Sequence, residues 1–203
     1  AVPGRRPMIE GNIDSSFTTE QRDLFASGIV AEIGVNAYAV WSAIKFYADY
    51  NTGHAWPGMR KLGEKLGLSA ATVKRAIDQL EASHMVRIVA SSTRRKGQTY
   101  VARERMSIRL GKRVLCTIVI DYVPGTLRGK INRLESALAT GEDDPEAFAE
   151  VEIIPGDGFQ WDANTRTLRG QVAAREIPRA PDPDDYHRKI GEAILGRLIA
   201  PKK

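Results

Sequence analysis

The sequence predicts an α+β fold, and three observations carry that reading. From Ala37 to Val89, amphipathic helical patterns follow one another and run into a β-like segment. From Met106 to Val123, two apolar runs break at Gly111-Lys112, as in a hairpin or a long β-segment. From Val151 to Ala173, β-like runs meet at Asp162-Ala163-Asn164-Thr165, which is good turn chemistry. The hydrophobic share of 42% suffices for a buried core and argues against global disorder.

The first sixteen residues carry Pro, Gly and two Arg without periodicity, and read as a flexible arm. Thr18 then suits an N-cap, with Gln21 three residues on. Leu24, Phe25, Ile29, Val30 and Ile33 recur at helical spacing; Gly28 weakens that helix and Gly34 ends it. Asn36 caps the next helix. Its Tyr38, Trp41, Ala43, Ile44, Phe46 and Tyr47 are too many for one narrow stripe, so burial around most of its circumference is expected. Asn51-Thr52-Gly53 breaks it, Trp56 anchors a corner, and Pro57 suits the first position of a following helix.

That helix, Gly58 to Leu66, is expected to turn Met59, Leu62 and Leu66 inward and Arg60, Lys61 and Lys65 outward. Gly67 suits the left-handed residue that ends it, and Ser69 the N-cap of the third helix. In that third helix Val73, Ala76, Ile77 and Leu80 share one face. Ala71, Lys74, Arg75, Asp78 and Gln79 share the other, after a small first turn at Ala70 and Ala71. Strands at Met85–Ala90 and Tyr100–Arg105 flank a polar, basic loop over 91–98. Helix, turn, helix and basic hairpin together are the layout of a winged helix-turn-helix, whose third helix enters a DNA major groove.

Charge placement agrees. Thr52 to Arg105 holds eleven Lys/Arg against four Asp/Glu, and Gly141 to Tyr186 holds four against twelve. A basic block that coincides with such a motif is the footprint of a polyanion-binding surface.

The expected domains are an arm at 1–16, the winged helix at 17–105, a small α/β unit at 106–177, and a linker with a C-terminal amphipathic helix at 178–203. The α/β unit holds a helix begun by Pro124-Gly125, with Leu127, Ile131, Leu134 and Leu138 inward and Arg128, Lys130 and Arg133 on a basic side. A short helix start is expected at Gly141-Glu142-Asp143-Asp144-Pro145. A degenerate second winged helix is one reading of this unit, which would bind DNA or a second subunit. The last helix carries Tyr186, Ile190, Ala193, Ile194 and Leu198 on one stripe, to pack on its own domain or on a partner.

Gly53-His54-Ala55-Trp56-Pro57-Gly58, followed by LGEKLGLSAATVKRAIDQLEASHMV, resembles the helix-turn-helix of bacterial plasmid replication initiators and related phage replication proteins. The resemblance covers Asn36 to Arg105. It implies DNA contacts from Ser69, Ala71, Thr72, Lys74 and Arg75 at the start and exposed side of the third helix. Gly58, Arg60 and Lys61, at the N-terminal end of the second helix, would sit near a phosphate, which free amides and the helix dipole favour independently. Arg94, Arg95 and Lys96 in the wing complete the set. Asp78 is a rival partner for Arg75. The implied partners are double-stranded DNA, at origin repeats or an operator, then host replication proteins and a second copy of the chain.

No chemistry competes with that reading. His54, His84 and His187 have no metal or nucleophile spacing, and Gly125 to Lys130 lacks the spacing of a phosphate loop. Asp157 and Asp162 flank a hairpin and could bind a cation, although carboxylates in turns are far more often turn formers. No cofactor, metal or enzymatic activity is expected. Cys116, the single cysteine, sits in an apolar run and reads as structural. No apolar run is expected to span a bilayer and the N-terminus lacks a signal-peptide core, so the expected setting is the bacterial cytoplasm without membrane attachment. The function expected is sequence-specific DNA binding as a replication initiator; a transcriptional repressor or copy-number regulator, and a protein-interaction adaptor, are the alternatives.

Overall fold

A computed structural model describes residues 18–89, 97–141 and 144–170. The expected arm, the loop tip with Arg94, Arg95 and Lys96, the linker and the C-terminal helix lie outside the described residues. The described chain is a mixed helix and sheet structure with helix-turn-helix elements toward its N-terminus.

The first helix, α1, covers only Asp23–Ala26. Thr18 does not cap it. Its Asp23 carboxylate instead accepts the Ser107 amide at 2.7 Å, which pins α1 to the sheet. Gly28, in the left-handed region at φ 81°, separates α1 from α2, Ile29–Phe46. Gly34, at φ 78° and ψ 160°, interrupts α2 where the sequence predicts a helix end. One face of α2, with Ile33, Ala37, Val40, Trp41 and Ile44, is buried. Burial does not extend around the circumference, because Phe46 is 63% exposed. By length and composition α2 is apolar enough to cross a membrane, contrary to expectation. The Gly34 break and the packing of its buried face make it a core helix.

After a two-residue strand, β1 (His54–Ala55), come α3 (Met59–Leu66) and α4 (Ala70–Ala82). The buried face of α4 is Val73, Ala76, Ile77 and Leu80, as the 3.6-residue period predicts. Met59 and Trp56 do not turn inward; both are exposed, while Pro57 is buried.

Strands β2 (Val86–Val89), β3 (Thr99–Leu110), β4 (Arg113–Asp121) and β5 (Val151–Pro155) join β1 in one five-stranded sheet. The first part of β3 pairs antiparallel with β1 and β2, and the rest pairs with β4. The boundary expected between Arg105 and Met106 thus falls inside a continuous strand. One apolar cluster joins Val73 and Ile77 of α4 to Ile118 and Ile120 of β4. It also includes Leu127 and Leu134 of α5, Leu127–Thr140. The segment after Pro145 forms turns instead of a helix. A hairpin of β6 (Phe159–Asp162) and β7 (Thr167–Gly170) packs Phe159 and Leu168 on Leu110, Leu115 and Cys116. Burial pushes the Cys116 thiol up to about 12, which keeps it protonated and inert.

Helices and sheet are also joined through a charge. Lys45 of α2 is buried and reaches Glu104 of β3 at 2.6 Å. Its ammonium lies over the rings of Trp41 (4.2 Å) and Tyr122 (4.4 Å) and donates to the Thr19 carbonyl. The Trp41 indole donates to the Arg103 carbonyl at 3.1 Å.

Candidate nucleic-acid interface

The interface is built from the turn outward. The Leu68 amide donates to the Gly63 carbonyl at 2.9 Å, and Gly67 takes the left-handed conformation at φ 66°. This closes α3 tightly against the start of α4. Gly58, extended at φ −65° and ψ 152°, begins α3 without any side-chain cap, and the first turn holds no acidic residue. Gly58, Arg60 and Lys61 are all exposed there. Lys61 lies over the Tyr47 ring at 4.6 Å.

At the head of α4, Ser69 is the N-cap: its hydroxyl accepts the Thr72 amide at 3.1 Å. The Ser69 and Thr72 hydroxyls are 2.9 Å apart, and the Arg75 guanidinium donates to Thr72 Oγ1 at 3.5 Å. Residues 69, 72 and 75 thus form a polar row along one side of α4, and Arg75 leans toward the helix's first turn. That turn is the part of a recognition helix that meets base edges. Ala71 is exposed beside it and leaves the approach unobstructed. Thr72, half-buried, serves both the cap and Arg75. Lys74, not Arg75, takes Asp78, at 2.7 Å across one helical turn with both groups in water. The expected Asp78 competition for Arg75 is therefore displaced by one residue.

A cleft of about 330 Å³ lies between the Gly34 break and α4, lined by Val35, Asn36, Thr72, Arg75 and Gln79 among others. The Gln79 amide closes one part of it by donating to the Glu32 carbonyl at 3.3 Å. Val35 and Asn36 are exposed beside the candidate reading face. The sequence reading assigned them no contact, and the only signal was Gly34 itself.

Electrostatics separate this surface from the rest. Arg87 and Arg103 are held by Asp121 and Glu152, at 2.5 Å and 2.7 Å respectively, and Arg105 approaches Glu32 at 3.8 Å. His84 contacts Glu152 at 2.8 Å. On α5, Lys130 meets Glu150 at 2.5 Å, and Arg133 meets Asp144 at 2.6 Å and Glu146 at 2.5 Å. The Arg133 guanidinium holds the Asp144 carboxyl below the usual carboxylate range. The acidic segment thus covers much of the basic side of α5. Within the basic block, Arg60, Lys61, Lys65 and Arg75 are the described cations without an acidic partner among the described residues, and all lie on α3 and α4.

Among the described residues no group of three or more His, Cys, Asp or Glu is placed to hold a metal. The Asp162 carboxylate accepts the Asn164 and Thr165 amides at 3.0 and 3.2 Å, as a turn former does.

No curated protein and no solved structure matches the chain. Residues 31–83 match the family model described as a helix-turn-helix domain. The match ends one residue beyond α4 and takes in the break at Gly34, the turn at Gly67 and the cap at Ser69. Residues 31–83 form a helix-turn-helix domain, a module that suggests binding to double-stranded DNA.

Proposed function

We propose that this chain is a bacterial plasmid replication initiator. It binds repeated sites at an origin in the cytoplasm and helps assemble host replication proteins there. The observation that carries the DNA-binding part is the concentration of acid-free cations on α3 and α4, around the polar row at 69, 72 and 75. In this reading α4 enters the major groove, the β2–β3 hairpin is the wing, and Arg94, Arg95 and Lys96, between those strands in sequence, are the cations assigned to the DNA backbone. The work is binding and assembly, with no covalent step.

The initiator part is supported by the resemblance of the Trp-Pro corner and the α4 sequence to replication initiators. β3 joins the helix side of the sheet to β4 and β5, and in this reading that further part is where host replication proteins are met. A footprint on DNA flanking the gene tests it, together with plasmid maintenance with and without the gene. Protection of tandem direct repeats, and plasmid loss without the gene, is the expected result. Protection of one palindrome at a promoter, with the plasmid maintained, identifies a dimeric repressor instead.

A further inference from the structure

Trp56 is the largest exposed apolar side chain among the described residues, at 60% exposure. An indole offers an apolar face and one N–H donor, a combination suited to a surface that is apolar on one side and polar on the other. Its placement is fixed rather than loose. β1 pairs His54 and Ala55 with Val101 and Tyr100 of β3, so the chain leaves the stem of the β2–β3 hairpin one residue before Trp56. Pro57, buried, then sets the direction into α3. The His54 ring meets the indole edge-on, with centroids 6.0 Å apart. Asp49 lies on the His54 side of the indole, and the chain that follows Trp56 is open and basic. A Cβ placed on Gly58 would touch nothing within 4 Å, Met59 is exposed, and Arg60 and Lys61 follow with no acidic partner among the described residues.

We infer that Trp56 is itself a DNA contact: its indole lies on the deoxyribose–phosphate backbone between the strand segments met by the start of α3 and by the hairpin. The inference rests on the DNA-binding reading above. An aromatic face packs on a sugar, and the indole N–H is a donor suited to a phosphate oxygen. The neighbouring cations supply the attraction that brings a polyanion there, and no acidic residue in the first turn of α3 opposes it. A sugar–phosphate contact carries no base identity, so Trp56 adds affinity and register without adding sequence preference.

The test uses the full chain and two duplexes: one selected by the wild-type protein from a random pool, and one of unrelated sequence. Trp56→Ala is expected to weaken binding to both by about tenfold. The slope of log K against log salt stays unchanged, because no charge is lost. Arg60→Ala with Lys61→Ala flattens that slope. Trp56→Phe keeps an aromatic face but no donor, and is expected to fall between wild type and Trp56→Ala. The indole emission change of the wild type on adding DNA is absent in Trp56→Phe. Circular dichroism and the thermal midpoint confirm that both variants fold. Affinity within twofold of wild type in Trp56→Ala overturns the inference. So does a changed oligomeric state at unchanged DNA affinity, which assigns the indole to a second copy. A wild-type chain that binds neither duplex brings down the DNA-binding reading as well, which separates the two failures.

Discussion

Lys45 and Glu104 meet at 2.6 Å with side-chain exposures of 0% and 1%, fifty-nine residues apart in sequence. Burial pushes the Glu104 carboxyl up and the Lys45 charge opposes it, leaving it above the ordinary 4.5. Lys45→Met strands that carboxyl and removes the ammonium from over the Trp41 and Tyr122 rings. The expected cost is about 3–5 kcal/mol in urea unfolding, and Lys45→Met with Glu104→Leu recovers most of it. With Lys45 gone, the folded state holds a proton that the unfolded chain releases. The loss therefore deepens as pH rises through the carboxylate range.

Gly63 bears on the helix-turn-helix itself. A Cβ there would stand 2.5 Å from the Leu68 carbonyl oxygen. That backbone is held in place by the Leu68 amide, bonded to the Gly63 carbonyl. Gly63→Ala is expected to destabilise by about 1–3 kcal/mol despite the better helix propensity of alanine. Thermal denaturation reads it, and a rise in midpoint would contradict the close approach.

Binding measurements separate the roles of the charged residues. Arg75→Ala with Lys74→Ala is expected to cost about 1–3 kcal/mol per lost base contact on the selected duplex, and less on the unrelated one, where only charge is lost. Asp78→Ala releases Lys74 from its ion pair, so affinity rises and the salt slope steepens by about one. Neutralising Arg94, Arg95 and Lys96 weakens both duplexes alike. Fluorescence anisotropy across a salt series distinguishes the three.

Acid exposes the turns. Thr52 hydrogen bonds lower the Asp49 carboxyl, Arg133 lowers Asp144, and the Thr165 amide and hydroxyl lower Asp162. Each contributes stability that is full above the unfolded value of 3.8 and is lost as pH falls through the lower folded value. Carboxyl titrations by NMR are expected to show all three midpoints below 3.8, with unfolding by urea easier on the acid side of that window.

Local physics was legible in the sequence and distant pairing was not. The face of α4, the Ser69 cap, the Gly67 stop and the Gly111 hairpin follow from short-range rules, and the structure has them. Lys45 offered one hint, a lone cation among Trp41, Ile44 and Phe46, but its partner lies on a strand beyond the hairpin loop. Trp56 and Met59 look like core by residue type, yet the buried Pro57 between them takes the inward place. The charge block at 52–105 was visible as a sum. Which of its cations stay free of acids depended on Asp121 and Glu152, which lie on other strands.

The continuity of β3 limits how this helix-turn-helix is inherited. A graft ending at Arg105 would sever the ladder from Arg103 to Leu110 against β4 and strip Tyr122 from above Lys45. The three helices are therefore not a transferable cassette. The smallest portable unit runs on through β4 to Tyr122, so recombination that moves this helix-turn-helix between proteins must carry the β3–β4 pair with it.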